Sequence, residues 1–209
     1  SASTVTMRGF SGLKSGPSYE NDFANPNVVI DWIFNLPAGC GEGLNVSVLG
    51  GWDYPTIMGA VNVLNKTLNA DTCVVIRDTQ TYSESVQLRG FSSAAGYQLK
   101  IMSDPSFISS APVVNPPVFS TAGFYIQNTS VTLLNVSVIS TNSVTYGVYA
   151  SSGYVTMSSV TVLDPASMIT AWGMATSGNS QISNSLVNVG QISGLAIGLP
   201  VAVGTGDDF

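Results

Sequence analysis

The feature that most constrains this chain is a repeat in its second half. A short motif that begins with glycine recurs at Gly123, Gly147, Gly173 and Gly194, with successive spacings of 24, 26 and 21. Four apolar residues follow the first motif, and they recur at the first of these spacings and again after a slightly longer step: Val131, Leu133, Val136 and Val138; Val155, Met157, Val160 and Val162; Ile182, Asn184, Val187 and Val189. Units this short cannot bury their own apolar faces, so the repeat predicts that successive units stack on one another.

The pattern inside each unit indicates strands rather than helices. Apolar residues alternate with Ser or Thr, skip one residue, and alternate again, which is typical of two short strands joined by a bend. Stacked units of this kind form a β-solenoid. An antiparallel sandwich also contains many short strands, but its hairpins favour Asn-Gly or Asp-Gly turns, and this sequence contains neither dipeptide. The expected fold class is therefore all-β.

One amphipathic helix is predicted over residues 55–68. Pro55 suits a first helical turn, and the apolar residues that follow it with helical spacing are Ile57, Ala60, Val61, Leu64 and Leu68. The helix precedes a strand predicted over residues 72–78, so its apolar face is expected to cap the open end of the solenoid. Leu64 is expected to be buried there.

The amino-terminal part of the chain, residues 1–50, differs in kind from the rest. Residues 1–26 have few apolar side chains and no sustained period, which predicts an extended arm. Strands are predicted over residues 28–34 and 44–49, with a glycine-rich turn at residues 37–43 between them. The chain is accordingly divided into an arm with short strands, residues 1–50, and a solenoid domain, residues 51–209.

The few charged residues restrict the chemistry that the chain can perform. The sequence has no His, only 9% charged residues and a formal net charge of −6. It therefore lacks Ser/His and Cys/His nucleophile pairs and the commonest transition-metal ligand, and its six Lys and Arg residues provide no basic stripe for nucleic acid. No metal, cofactor or nucleic-acid partner is expected. The late apolar stretch, residues 192–203, is too short to span a membrane.

Cys40 and Cys73 are the only cysteines. In an exported protein they would form one disulfide, and the alternative is a pair of buried thiols. The chain begins at Ser1 without Met, which suggests a processed mature form or a fragment. We predict the disulfide and an extracellular or cell-surface location.

Several segments carry a resemblance to a known family. They are residues 54–61 (YPTIMGAV), 72–78 (TCVVIRD), 81–86 (TYSESV) and 99–103 (LKIMS). This run resembles the capping helix, first strand, turn and next strand of right-handed parallel β-helix proteins of the pectin-lyase-like superfamily. Gln80 stands where the family's turn motif has Gly, and the resemblance covers about residues 54–204. It implies a right-handed parallel β-helix with one amino-terminal capping helix.

The resemblance does not extend to the catalytic motifs of this superfamily. Residues 31–35 (DWIFN) are similar to a pectin methylesterase motif, but they lie before the turn rather than after it, and the partner motifs are absent. The lyases and hydrolases of this fold need clustered carboxylates, often with a basic side chain. Between residues 105 and 206 the only Asp, Glu, Lys or Arg is Asp164, which precedes Pro165 and is expected to cap a turn. We expect no catalytic residues and no enzymatic activity.

Two sets of side chains are candidates for ligand binding. The densest group of charges lies in the first two repeats and consists of Arg77, Asp78, Glu84, Arg89, Lys100 and Asp104. It is interpreted as surface ion pairs or, alternatively, as a carbohydrate- or ion-binding patch. The aromatic residues are interpreted mainly as core and turn packing, but Tyr125 and Tyr149 occupy equivalent positions in successive repeats and could alternatively form an outward-facing ladder.

Four Asn-x-Ser/Thr sequons are candidates for N-glycosylation: Asn45, Asn65, Asn128 and Asn135. Such a number is close to what this Asn-, Ser- and Thr-rich composition produces by chance. Asn45 is expected to point outward because its apolar neighbours alternate inward.

These observations favour a secreted structural protein that assembles into a fibre, surface layer or appendage. The alternative is a carbohydrate-binding or carbohydrate-active β-helix. No second cap is apparent at the carboxy-terminal end, so an open last rung is expected. The expected partner is a second copy of the chain, which places residues 1–26 on this open rung in a head-to-tail polymer.

Overall fold

The structure is a computed structural model that describes residues 36–104, 108–153, 155–176 and 180–189, and the backbone of residues 193–197 and 201–203. Seventeen strands and one short helix are found in these ranges. The predicted arm over residues 1–26 and the predicted strand over residues 28–34 lie outside the described residues, as do residues 31–35.

The strands form three sheets that run along a parallel β-solenoid of about five turns. Sheet A contains, in spatial order, β1 (Glu42–Val46), β2 (Thr72–Ile76), β5 (Leu99–Ser103), β8 (Val131–Leu134), β11 (Val155–Ser158) and β14 (Gln181–Ser183). Sheet B contains β4 (Val86–Arg89), β7 (Ala122–Gln127), β10 (Val144–Ser151), β13 (Ile169–Thr176), β16 (Ser193–Ile197) and β17 (Val201–Val203). Sheet C contains β3 (Thr81–Tyr82), β6 (Val113–Val114), β9 (Ser137–Ile139), β12 (Thr161–Asp164) and β15 (Leu186–Val189). Each rung takes one strand from each sheet, beginning with β2, β3 and β4.

The repeat read from the sequence gives the register of the sheets. Phe124, Val148, Met174 and Leu195 follow the four repeated glycines, and they pair across neighbouring strands of sheet B. In sheet A, Val131 pairs with Val155 and Leu133 with Met157, which confirms the first predicted step. Strands therefore stack in the order that the period predicted.

The predicted alignment of the third unit is wrong. Met157 was expected to align with Asn184, but it pairs with Ile182, and Val162 pairs with Val187 instead of Val189. Asn184 therefore does not occupy an apolar position. It has a φ of 47° and lies in the turn between β14 and β15, equivalent to Asn135 and Ser159, whose φ values are 48° and 54°. Short polar side chains tolerate this left-handed conformation better than apolar ones.

The interior of the solenoid is apolar and continuous. Val, Ile, Leu, Met and Phe side chains from all three sheets form one cluster, with Leu88, Phe124, Leu133 and Met157 fully buried. Gly123 and Gly147 of sheet B lie close against valine side chains of sheet C, since an added Cβ would be 2.7 Å from Val138 and 2.5 Å from Val162, respectively. A side chain at either position would push the sheets apart.

The helix α1 (Ile57–Val63) is shorter than predicted. The Thr56 hydroxyl accepts a hydrogen bond from the Gly59 N–H, so the helix begins after Pro55. It ends at Leu64 because residues 66–68 are drawn into backbone hydrogen bonds with Ser92. Ile57, Ala60 and Val61 are buried against the core. The prediction that Leu64 is buried holds only in part, since this residue is half-buried at the helix end.

A further strand pairs with the terminal strand at each end of the solenoid. At one end, β1 precedes α1 and pairs in parallel with β2, so residues 42–46 belong to sheet A. At the other end, β17 pairs antiparallel with β16. The outer edge of β16 is therefore covered by a reversed strand rather than left open as expected.

Candidate functional site

The main polar site is a turn cluster at the carboxyl ends of β1, β2 and β5, built around Arg77. The parallel register aligns Val46 with Ile76 and Ile76 with Ser103, so the residues after these strands stack. The Arg77 Nη1 lies 2.6 Å from the Asp104 Oδ2, and the Arg77 Nε donates a 2.8 Å hydrogen bond to the Asn45 Oδ1. All three side chains are buried.

The loop after β1 completes the surroundings of Arg77. The Asp53 carboxylate accepts hydrogen bonds from the backbone N–H and side-chain amide of Asn45, at 2.8 and 3.2 Å. The Trp52 ring centroid lies 5.2 Å from the Arg77 guanidinium carbon, close enough for a cation–π contact. Burial lowers the pKa of Arg77, and the negative charges of Asp104 and Asp53 oppose that shift.

Asp78 ties the same turn to sheet C. Its carboxylate accepts hydrogen bonds from the Ser47 hydroxyl at 2.6 Å, the Tyr82 hydroxyl at 2.9 Å and the Gln80 N–H at 3.1 Å. Burial raises the pKa of Tyr82, and the adjacent Asp78 charge raises it further. Tyr82 is therefore held as a neutral phenol that donates to Asp78.

Glu84 lies apart from the turn cluster and holds α1. Its two carboxylate oxygens accept 2.8 Å hydrogen bonds from the Ile57 and Met58 N–H groups. These donors belong to the first turn of the helix and have no partner within it. Burial raises the pKa of Glu84, while the two backbone hydrogen bonds act in the opposite direction.

The two remaining basic residues of the predicted patch lie elsewhere. Lys100 Nζ is 2.8 Å from the Asp71 carboxylate and also donates to the Gly39 carbonyl, which ties β5 to the segment before β1. The hydrogen bond from Lys100 lowers the pKa of Asp71. Arg89 is exposed on sheet B. The six charged residues therefore occupy separate places, and only Arg77, Asp78 and Asp104 lie together.

An aromatic column on the outer side of sheet B corresponds to the alternative interpretation, the Tyr125–Tyr149 ladder. The two ring centroids are 5.4 Å apart, and Tyr146 stacks on Tyr149 at 4.4 Å. The Arg89 guanidinium carbon lies 4.5 Å from the Tyr125 centroid at one end of the column. The tilted Tyr125–Tyr149 contact joins two rungs, whereas Tyr146 and Tyr149 stack within β10. The rings pack mainly on one another, so the column is assigned a structural role.

Asp164 caps a turn, as the sequence suggested. Its two oxygens accept hydrogen bonds from the Met168 N–H at 2.6 Å and the Ile169 N–H at 3.0 Å. The residue is 5% exposed. This carboxylate is thus occupied in holding the connection between β12 and β13.

A cleft of about 580 Å³ lies along the turns that lead from sheet B to sheet A. Leu68 and Phe91 are the buried apolar residues that line it, and Tyr97 adds an aromatic side chain that is 41% exposed. Side-chain hydroxyls and amides, including those of Gln98 and Asn128, supply the polar part of the lining. The described residues that line this cleft carry no formal charge.

Cys40 and Cys73 form the predicted disulfide, which joins the segment before β1 to β2. Cys73 is fully buried and packs with Val75 and Met102. The covalent bond and the Lys100 contacts fasten the same segment to sheet A.

The four sequon asparagines lie in different surroundings. Asn45 lies on the outer face of sheet A, as expected, since its neighbours Leu44 and Val46 face the core. It is nevertheless only 8% exposed, because its side chain contacts Arg77 and Asp53. The Asn135 amide donates to the Ser103 hydroxyl. Asn65 and Asn128 are exposed, and Asn65 Oδ1 accepts a hydrogen bond from the Thr67 N–H.

Sequence reasoning missed the partners of Arg77. Asn45, Trp52 and Asp53 lie far before it in the chain, in β1 and the loop that follows, and no local motif links them to it. The available signal was that Asn45 and Arg77 both alternate with apolar residues in predicted strands, which places them on the same outer face of sheet A once the two strands are paired.

Within the described ranges, no group of three His, Cys, Asp or Glu side chains is arranged to hold a metal ion. No helix in that part of the chain is long and apolar enough to cross a membrane. No protein-family model, curated protein or solved structure matches the sequence. The class that the fold defines is accordingly the parallel β-solenoid with one short helix.

Proposed function

We propose that this chain is a structural subunit of an extracellular fibre, surface layer or appendage, without catalytic activity. The proposal rests on one observation: the buried charged side chains form hydrogen bonds that stabilise the fold. Arg77, Asp104 and Asp164 hold turns in place, and Glu84 holds the helix. Carboxylates that are saturated by structural hydrogen bonds are poor general acids, since their oxygens are not available to a substrate.

Assembly is proposed to run head to tail through residues 1–26 and the carboxy-terminal rung. In sheets A and C this rung ends in β14 and β15. Within the described strands nothing pairs with their outer edges, and such edges accept a further strand. Negative-stain electron microscopy of the full chain is expected to show filaments. Deleting residues 1–26 should abolish the filaments and leave folded protein, and filaments that persist after the deletion would show that the arm is not the connector.

The absence of activity is tested by incubating the full chain with pectin, alginate and related polymers, with and without Ca²⁺. No release of reducing or unsaturated ends is expected. Turnover that is lost in Glu84→Gln or Asp164→Asn, in protein that remains folded, would replace the structural proposal by an enzymatic one.

Carbohydrate binding is a second candidate, and the cleft beside Tyr97 favours it. Hydroxyls, amides and one exposed aromatic ring in a concave, uncharged site suit a neutral saccharide. Tyr97→Ala should weaken binding of such a glycan at least ten-fold, whereas Tyr125→Ala on the aromatic column should leave binding unchanged. Equal affinities for the parent and Tyr97→Ala would exclude this site.

The finer description of the fold belongs to the same proposal. We infer that the solenoid is right-handed and pectin-lyase-like, with α1 as its amino-terminal cap. The hand is supported by the strong general preference for right-handed crossovers between parallel strands. The cap is supported by the packing of Ile57 and Val61 on the core and by the hydrogen bond from the Gln87 N–H to the Met58 sulfur, which covers β4. A crystal structure that includes residues 1–35 would test both.

A further inference from the structure

Phe119 is the most unusual surface residue in the described chain. Its side chain is 99% exposed, and its backbone φ is 65°. The Ser120 N–H donates a 3.2 Å hydrogen bond to the Pro117 carbonyl, so Phe119 is the third residue of a β-turn with the arrangement of a type II turn. That position favours Gly, because a bulky side chain at positive φ is strained.

The turn that carries Phe119 is fastened at its base. Asn115 exchanges hydrogen bonds with Thr141 in the turn of the next rung, at 2.9 and 3.1 Å. From the same neighbouring turn, the Asn142 side-chain amide donates to the Pro116 carbonyl. The exposed ring and its neighbour Val118, which is 58% exposed, are thus presented on a braced support.

Neither property of Phe119 benefits an isolated chain. Glycine in its place would relieve the backbone strain, and a polar residue would avoid exposing a whole phenyl ring to water. A strained and fully exposed aromatic residue is explained when the ring is buried by a partner, since such anchors contribute much of the energy of protein interfaces.

A complementary surface lies at the opposite end of the same strand. Phe119 precedes β7, whereas Asn128, which lines the cleft, follows β7 directly. The cleft combines the apolar residues Leu68 and Phe91 with the half-exposed Tyr97 ring. Neither the turn nor the described cleft lining carries a charge, and the cation beside the cleft is Lys66, whose Nζ lies 3.6 Å from the Phe91 ring centroid. No like charges therefore meet where the turn enters the cleft.

The topology allows this contact to be reciprocal. The relevant symmetry is a two-fold axis that lies outside sheet B and runs parallel to the solenoid axis. It places the second copy with its sheet B facing that of the first, with the strands running in the opposite direction and each rung opposite its equivalent. The Phe119 turn of each copy then faces the cleft of the other across two opposed sheet B faces. Each face has six strands and spans about 24 Å by about 20 Å at ordinary strand spacing. This footprint of about 480 Å² per partner is in the range of weak, transient interfaces, to which the two inserted rings add.

We propose that two copies of this chain form a symmetric dimer in which Phe119 of each copy inserts into the cleft beside Tyr97 of the other. The closed, side-by-side contact is distinct from the head-to-tail assembly through residues 1–26. It also brings the two aromatic columns together at the centre of the interface. One cleft cannot hold both the phenyl ring and a saccharide, so glycan binding would dissociate this dimer.

The first test compares the full chain with Phe119→Gly by sedimentation at several concentrations. After any filaments are pelleted, the parent that stays in solution is expected to sediment as dimers, and Phe119→Gly should weaken dimerisation at least ten-fold. At concentrations where both proteins are monomeric, the variant should melt no earlier than the parent, because glycine relieves strain. Leu49→Gly, which removes another exposed apolar side chain from a turn, is the matched control and should dimerise normally.

A parent that stays monomeric up to submillimolar concentration, or a Phe119→Gly protein that dimerises normally, would overturn the proposal. The second test mixes Phe119→Cys with Tyr97→Cys under mild oxidation. A cross-linked heterodimer is expected, and mixing Leu49→Cys with Tyr97→Cys should give none. Deleting residues 1–26 should not affect the cross-link, so failure of this contact and failure of head-to-tail assembly are separate results.

Discussion

At the scale of single residues, the buried pair of Arg77 and Asp104 is the most consequential contact. Each residue is 8% exposed. Removing Arg77 takes away the positive charge that neutralises the buried Asp104, so Arg77→Met should lower the free energy of unfolding by about 3–5 kcal/mol. Urea unfolding measures this loss. Arg89→Met, which removes an exposed arginine, should cost less than about 1 kcal/mol.

The double variant Arg77→Met/Asp104→Leu separates two explanations of the stability lost in Arg77→Met. It should recover much of the lost stability, because neither charge of the buried pair remains. A double variant as unstable as Arg77→Met would instead assign the loss to the contacts of Arg77 with Asn45 and Trp52.

At the scale of elements, the orientation of α1 is the feature to test. Val61 is 1% exposed and Val63 is 57% exposed, although both lie on the same short helix. Val61→Asp buries an unpaired carboxylate and should cost several kcal/mol, whereas Val63→Asp should change the free energy of unfolding by less than about 0.5 kcal/mol. Thermal melts of both variants test this. Equal melting temperatures would show that α1 does not pack as described.

The link between Glu84 and α1 gives a pH dependence. Because burial raises the pKa of Glu84 in the folded protein, the native state retains the proton at pH values where the unfolded chain has lost it. The free energy of unfolding therefore falls as pH rises from the unfolded pKa through the higher folded pKa. Glu84→Gln should abolish this contribution. Parallel stability-versus-pH curves for the parent and the variant would contradict the prediction.

At the scale of the whole molecule, a solenoid is held by contacts between neighbouring rungs, so its ends are stabilised separately. The Cys40–Cys73 disulfide closes a sequence separation of 33 at one end. Replacing both cysteines by Ala should cost about 3–4 kcal/mol by the chain-entropy estimate. Hydrogen exchange should show the loss first in β1 and β2, with the amides of β8 and β11 affected least. Uniform loss across all rungs would indicate a single cooperative unit.

The sequence by itself determined the repeat, the strands and much of the register. The spacing of the glycines from Gly123 onward and the alternation around Val131 are local patterns, and parallel stacking converts them directly into pairing. The disulfide and the turn-capping role of Asp164 were also predicted, and the Tyr125–Tyr149 ladder was one of two interpretations of the aromatic residues. Each depends on residue type and period alone.

Only the tertiary structure decided where polar groups meet and where elements end. Asn45 is buried on the outer face of sheet A because Arg77 and Asp53 cover it and satisfy its amide, and α1 stopped at Val63 because Ser92 competes for the backbone of residues 66–68. The alignment of Met157 with Ile182, and with it the turn position of Asn184, followed from strand pairing that a one-dimensional pattern could not specify. The same is true of the strain at Phe119. These outcomes depend on contacts between residues far apart in the chain, which local propensity does not encode.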